Sequence, residues 1–133
     1  MIRMKGEVKE PEDIRKRAFR FALRIIQLCL CRQLPKNEVN RILTRQVLRS
    51  GTSIGANLEE AQGANTKPEF INSTNIAKKE ARETNYWLRL MVECNSIQIK
   101  KRMQNLLRES EEIIKILTAS VKKSNANKLI LRH

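Results

Sequence analysis

Residues 49–63 read RSGTSIGANLEEAQG and contain Gly51-Thr52-Ser53-Ile54-Gly55, which matches the pattern G-x-S-x-G. In many hydrolases this pattern forms the sharp turn between a strand and a helix that presents a nucleophilic serine. Here the preceding residues, RILTRQVLR, already follow helical periodicity, and the one histidine of the chain is its last residue, His133. We therefore expect Ser53 to lie inside a helix and not to act as a nucleophile.

The small residues in this stretch still require an explanation, because Gly51 and Gly55 inside a helix each cost about 1 kcal/mol relative to alanine. On a helical wheel they belong to one stripe, formed by Val47, Gly51, Ile54, Leu58 and Ala61. A polar stripe lies beside it, formed by Ser50, Ser53, Asn57 and Glu60. Small residues four apart allow a second helix to approach closely. That helix belongs either to the same domain or to a second subunit, and both interpretations stay open.

Apolar residues recur at helical spacing in four segments of the chain. These predict helices at about 11–33, 37–63, 66–94 and 98–122. Pro11 suits a first helical turn, Asn37 is a candidate cap, and Gly63 is a suitable stop. Thr66 and Glu69 have the spacing of a capping box. In the first segment, Phe19, Ala22, Ile26 and Leu30 are expected to widen the apolar face.

Four helices joined by short breaks predict an all-α fold, an antiparallel up-down-up-down four-helix bundle formed by one domain, residues 1–133. The composition agrees, since three prolines and four glycines are too few turn signals for a small sandwich or barrel. We expect the tail, residues 124–133, to fray.

The net charge of +13 is unevenly distributed. Residues 1–49 carry 13 Lys/Arg and 5 Asp/Glu, whereas residues 50–98 carry 5 and 6, and residues 99–133 carry 9 and 3. In the expected topology the first and last helices are neighbours, so the two cationic ends of the chain share one side. Such a surface attracts polyanions over about a Debye length.

Three groups of basic residues are candidates for contacting nucleic acid. They are Arg17, Arg20 and Arg24 on the first helix, Arg41, Arg45 and Arg49 on the second, and Lys100, Lys101 and Arg102 at the start of the fourth. Few acidic residues stand four positions away to neutralise them, unlike the alternating pattern of a helix that is merely soluble. A solvated cationic face is the alternative interpretation.

Other classes of function find little support in the sequence. The chain has three cysteines, Cys29, Cys31 and Cys94, and this odd number argues against a disulfide framework. We therefore expect ordinary thiols in a reducing cytoplasm. No spacing of ligands suggests a metal or cofactor, and no catalytic constellation suggests an enzyme. Uncharged stretches are too short for a membrane span.

The sequence resembles a bacterial four-helix-bundle family whose members are encoded in intervening sequences of 23S ribosomal RNA genes and are sometimes labelled S23 ribosomal protein. The residues that carry the resemblance are Arg49–Ala61, Glu69-Phe70, Ile76-Ala77 and Lys79–Leu88. It extends over roughly residues 10–122 and departs from the family at Gln62-Gly63. The accessory variability protein of diversity-generating retroelements resembles the same family.

The resemblance implies a non-enzymatic bundle that assembles as a ring, typically a homopentamer, with a basic surface or pore. At matching positions it implies structural or interfacial roles for Ser53, Asn57, Glu60, Glu83 and Tyr86. Two hypotheses follow. One is an oligomer that binds the backbone of RNA or DNA without sequence preference, and the other is an accessory scaffold that docks a protein such as a reverse transcriptase.

Overall fold

The computed structural model describes residues 13–131, with side chains described through residue 127. This part of the chain consists of four α-helices and contains no strand. The helices are α1 (Ile14–Cys29), α2 (Glu38–Gln62), α3 (Lys67–Cys94) and α4 (Ile97–Leu131). The prediction of an all-α fold with four helices is confirmed.

Polar side chains define where α2 and α3 begin. The Asn37 side chain accepts a hydrogen bond from the backbone N–H of Asn40 at 2.8 Å. The Thr66 hydroxyl accepts one from the backbone N–H of Glu69 at 3.3 Å, while the Glu69 carboxylate accepts one from the N–H of Asn65. These bonds satisfy amide groups that have no partner within a first helical turn.

The first helix is shorter than the predicted range of 11–33. Asp13 is its N-cap, and its carboxylate accepts a hydrogen bond from the N–H of Arg15 at 2.9 Å. The expected role of Pro11 lies outside the described residues. At the other end the helix stops at Cys29, because the following residues turn so that Leu34 is buried in the core before Pro35. Periodicity alone does not reveal this turn.

The fourth helix is longer than predicted. It continues from Ile97 to Leu131, beyond the predicted end at residue 122, while residues 132–133 lie outside the described part and fraying of the tail stays a prediction. Ser124 and Asn125, which follow the predicted end, have helix propensities that differ from alanine by only about 0.5 kcal/mol. No glycine or proline interrupts the segment, and extending an existing helix costs little.

All four helices contribute to one core. Each helix packs against two others, in the cycle α1–α2–α3–α4–α1. In the described part of the chain, the backbones of α1 and α3 do not come into contact, and neither do those of α2 and α4. The largest fully buried apolar side chains are Phe21, Ile25, Ile54, Leu88, Met91, Met103, Ile113 and Leu117. The buried Asn40 and the partly buried Asn95 exchange amide hydrogen bonds at 3.0 Å. This pair joins the start of α2 to the end of α3.

The two glycines of the quoted stretch lie where α1 crosses α2. A Cβ atom at Gly51 would approach Ile25 Cγ1 to 3.1 Å, and one at Gly55 would lie 3.7 Å from Ala18 Cβ and 3.8 Å from the Ala18 backbone. The α2 helix continues unbroken through Ser53, whose hydroxyl donates to the carbonyl of Arg49 at 2.7 Å. Gly51 therefore serves close packing within this chain, whereas a Cβ at position 55 would make only an ordinary contact.

We expect Gly55→Ala to raise the free energy of unfolding by up to about 1 kcal/mol, because alanine favours the helix and its Cβ makes an ordinary contact with Ala18. Gly51→Ala is the matched variant, and it should be the less stable of the two because the fully buried Ile25 must shift. Thermal and urea unfolding measure both. Equal stabilities would contradict the packing described.

Candidate nucleic-acid interface

Helices α1 and α4 place two cation-rich segments side by side. Within Ile14–Cys29 there are five Lys or Arg residues and no acidic residue. The start of α4, residues 97–108, carries four more cations and again no acidic residue. These nine residues are Arg15, Lys16, Arg17, Arg20, Arg24, Lys100, Lys101, Arg102 and Arg108. Of these, Arg17, Arg24 and Arg102 lie where α1 meets α4, and we call this junction, with the exposed cations that flank it on both helices, the α1–α4 basic face.

Arg17 is neutralised at one end of this face. Its guanidinium forms a bidentate ion pair with Glu109, with Nη2 donating to Oε1 at 2.7 Å and Nε donating to Oε2 at 3.0 Å. Both side chains are largely shielded from solvent, with exposed fractions of 28% and 21%. Arg17 therefore joins α1 to α4 and is less available to an external anion than the sequence suggested.

Arg24 and Arg102 lie together at the other end of the face. They line a cavity of about 130 Å³ together with Gln27, and Leu28 and Leu106 complete the lining. Arg24 is partly buried, and its guanidinium makes no ion pair within the described chain, whereas Arg102 donates to the Gln33 carboxamide at 2.7 Å. Lys100, Lys101 and Arg20 are exposed nearby in sequence. The structure thus brings Arg24 of the first predicted basic group together with Arg102 of the third.

The second predicted group, on α2, lies apart and is partly neutralised. Arg41 pairs with Glu38 at 2.6 Å, and Arg49 pairs with Glu83 and, at 3.4 Å, with Glu80. Arg45 is exposed. The three arginines therefore do not form one continuous line of free charge.

The polar stripe of α2 faces α3. Ser50 is fully buried, and its hydroxyl accepts a hydrogen bond from Thr84 at 2.8 Å. Asn57 is partly buried and donates to the carbonyl of Ser53 at 2.8 Å, while Glu60 is exposed. Of this stripe, Ser50 packs within the chain, and Glu60 remains open to solvent.

The two predicted interface residues on α3 have different surroundings. Glu83 accepts hydrogen bonds from Arg49 of α2 and from the Trp87 indole N–H, the latter at 3.3 Å. Tyr86 is half exposed, with its ring edge-on to Trp87 at 5.1 Å between centroids and the Arg89 guanidinium 5.7 Å from its own centroid. Glu83 therefore connects α2 with α3, and Tyr86 is the accessible member.

An apolar ridge on α1 is the feature that sequence reasoning placed wrongly. Phe19, Leu23, Ile26 and Leu30 are exposed, Phe19 by 65% and Leu30 by 76%, although Phe19, Ile26 and Leu30 were expected to widen the buried face. The buried stripe of α1 is Ala18, Phe21, Ile25 and Leu28. The two stripes are separated by about 150° around the helix. A wheel that keeps them separate would have revealed a second apolar surface.

The chain matches the protein-family model described as 23S rRNA-intervening sequence protein over residues 10–119. The chain belongs to this family. A crystal structure from Bacteroides thetaiotaomicron, of a protein with unknown function from the S23 ribosomal protein family, is similar at 38% identity with a TM-score of 0.72. The similarity covers 82% of this chain and 95% of that one. A search of curated proteins finds no match.

These findings confirm the family resemblance, although the similarity to the retroelement accessory protein stays an expectation. No helix of this intervening-sequence family member, within the described residues, is long and apolar enough to cross a membrane. The same residues contain no cluster of three metal-binding side chains.

Burial raises the pKa of the Cys29 thiol, which keeps it protonated and poorly nucleophilic. The backbone N–H and guanidinium of Arg15 lower the pKa of Asp13.

The ion pair that joins α1 to α4 leads to a stability prediction. Glu109→Gln should lower the free energy of unfolding by up to about 1 kcal/mol at low salt, because it removes a bidentate and partly shielded partner of Arg17. Glu112→Gln is the control, since Glu112 pairs only with exposed Lys115 at 3.5 Å on the same helix. Urea unfolding at two salt concentrations measures both. Equal losses would show that the α1–α4 pair contributes nothing beyond surface charge.

Proposed function

We propose that this family member is a non-enzymatic, oligomeric four-helix bundle whose α1–α4 basic face binds the backbone of nucleic acid without sequence preference. The observation that carries the proposal is the acid-free α1 beside the acid-free start of α4. Lys and Arg side chains contact phosphates and position a protein on nucleic acid, but they do not read bases. Among the described side chains the exposed aromatic residues are Tyr86 and Phe19, and Phe19 belongs to the apolar ridge, so stacking on single-stranded bases contributes little.

The up-down-up-down topology is part of this proposal. Between α1 and α2, residue 18 lies beside 55 and residue 25 beside 51, so one helix ascends in number as the other descends. Between α2 and α3, the contacts of 40 with 95 and of 50 with 84 follow the same rule. Antiparallel neighbours with short connections support a bundle in which the cationic ends of the chain share one side.

Self-association is supported by the apolar ridge of α1. Four large apolar side chains at heptad-like spacing lie open to water, and contiguous exposed apolar surface of this kind marks an interaction site. A second copy of the chain is the occupant that the family resemblance implies, in a ring and typically a homopentamer. The basic face adjoins the ridge on α1 and would stay accessible beside such a contact.

Replacing the two most exposed ridge residues tests the assembly. We expect Phe19→Ser with Leu30→Ser to convert an oligomer into monomers, because the apolar surface that drives association is lost. Ile97→Ser is the matched control, since Ile97 is 71% exposed but lies on α4 away from the ridge. Light scattering gives the mass, and circular dichroism checks the helix content. A wild type that is monomeric at micromolar concentration would contradict self-association.

Matched charge removal tests nucleic-acid binding. We expect Lys100→Gln with Lys101→Gln to weaken binding of a 20-base-pair DNA and of a matching RNA far more than Arg41→Gln with Arg45→Gln does. On DNA, the slope of log K against log salt should be about −0.9 for each phosphate contacted. The Lys100→Gln, Lys101→Gln variant should lose nearly two of these contacts, and its slope should be shallower in proportion. Fluorescence anisotropy over a salt series measures this. An affinity that does not depend on salt would overturn the proposal. Equal losses of affinity in the α4 and α2 variants would show that the interface includes α2.

The accessory scaffold is the second candidate function. Its support is the mixed surface of α2, where exposed Ile42 and Leu48 stand among arginines. Apolar and charged residues interspersed in this way suit a protein partner, such as a reverse transcriptase, better than a phosphate backbone. Under this alternative, the α2 variant would abolish capture of the protein partner and leave any nucleic-acid binding intact.

A further inference from the structure

We propose that Arg24, Gln27 and Arg102 form a site for a single phosphate group at the α1–α4 junction. The inference rests on the proposed function in that it assigns the site to a backbone phosphodiester of bound nucleic acid. It goes further because it replaces diffuse attraction by one fixed contact, which sets where the backbone lies on the basic face.

A repeat along the two helices explains why this site needs an external anion. Arg17 and Arg24 are seven residues apart and therefore occupy the same face of α1, two turns from each other. Arg17 meets the carboxylate of Glu109 on α4. Seven residues before Glu109, the equivalent position on α4 is Arg102, and it lines the same cavity as Arg24. Where the first arginine finds a carboxylate, the second therefore finds another arginine.

The unmatched charge is costly in the absence of an anion. The Arg24 guanidinium has five N–H donors and is partly buried, yet within the described chain it makes no hydrogen bond or ion pair. A partly buried cation without an acceptor is unfavourable, and a second cation across a small cavity adds repulsion. An anion between the two guanidinium groups would satisfy donors on both and remove that repulsion.

The shape and chemistry of the cavity select a phosphate. Its volume of about 130 Å³ is enough for a tetrahedral anion, and its lining rather than its size favours an anion over a base. Two guanidinium groups and the Gln27 carboxamide supply donors, and no acidic residue belongs to the lining. Planar guanidinium groups bind phosphate oxygens through paired hydrogen bonds, which an ammonium group does not do.

Arg102 is held in place by a residue that follows α1. Its Nη1 donates to Gln33 in the α1–α2 connection at 2.7 Å, so one edge of the guanidinium is occupied by a neutral acceptor. The remaining N–H groups keep their capacity to donate to an anion. Gln33 is thus a positioning residue, which orients Arg102 without reducing its charge.

The first arm of the test uses nucleic acid and a substitution that preserves charge. We expect Arg24→Lys to weaken binding of the 20-base-pair DNA about tenfold, because the paired hydrogen bonds are lost although the charge remains. Arg82→Lys is the matched control and should leave affinity unchanged, because Arg82 is exposed on α3, outside the α1–α4 basic face. Arg24→Gln and Arg102→Gln should each cost tenfold or more, and their combination should cost less than the product, because both contact one phosphate. An Arg24→Lys variant that binds like the wild type would overturn the fixed contact.

The second arm uses inorganic phosphate alone and does not depend on nucleic-acid binding. We expect the Nε–Hε resonances of Arg24 and Arg102 to shift with phosphate but not with chloride at equal ionic strength, while that of Arg45 stays in place. Shifts together with an unaffected DNA affinity in Arg24→Lys would assign the site to free phosphate and overturn the backbone contact. Absence of shifts would overturn the site, even if the wild-type chain binds DNA.

Discussion

The close approach of α1 to α2 is the constraint on which the other features of this molecule depend. Gly51 leaves room for Ile25, so α1 can seat deeply enough to bury its own apolar stripe. Once that stripe faces the core, the rotation of α1 about its axis is fixed, and so are the directions of its other faces. Arg17 and Arg24 then lie beside α4, and the second apolar stripe of α1 points outward.

The contact between α1 and α4 is polar and unequal along its length. One end is closed by the bidentate pair of Arg17 with Glu109, and the other end presents Arg24 and Arg102 to a small cavity. A net charge of +13 therefore describes this surface poorly. What matters for an anion is where cations stand without carboxylates, and in the described chain this is the junction of α1 with the first turns of α4.

Much of the fold could be predicted from the sequence, because caps and periodicity are local signals. Asn37 and Thr66 cap the helices they were expected to cap, and the quoted stretch is helical throughout. The end of α1 was missed because it depends on the burial of Leu34, a tertiary contact. The ion pairs of Arg17 and Arg49 were missed for the same reason, since their partners lie on other helices. The exposed ridge was also missed, because the helical wheel of α1 was interpreted as one wide apolar face instead of two separate stripes.

Membership of the family establishes what kind of domain this is, and its similar structure of unknown function leaves the activity to be argued from surfaces. The two surfaces proposed to matter share one helix, because α1 carries both the ridge and five cations. Copies that meet along the ridge would bring their cationic faces near one another, where repulsion opposes association at low ionic strength. A bound polyanion would remove that repulsion. On this physical ground, the proposed assembly and the proposed nucleic-acid binding would reinforce each other: each contact that neutralises α1 would favour the oligomer, and each added subunit would extend the surface that attracts phosphate.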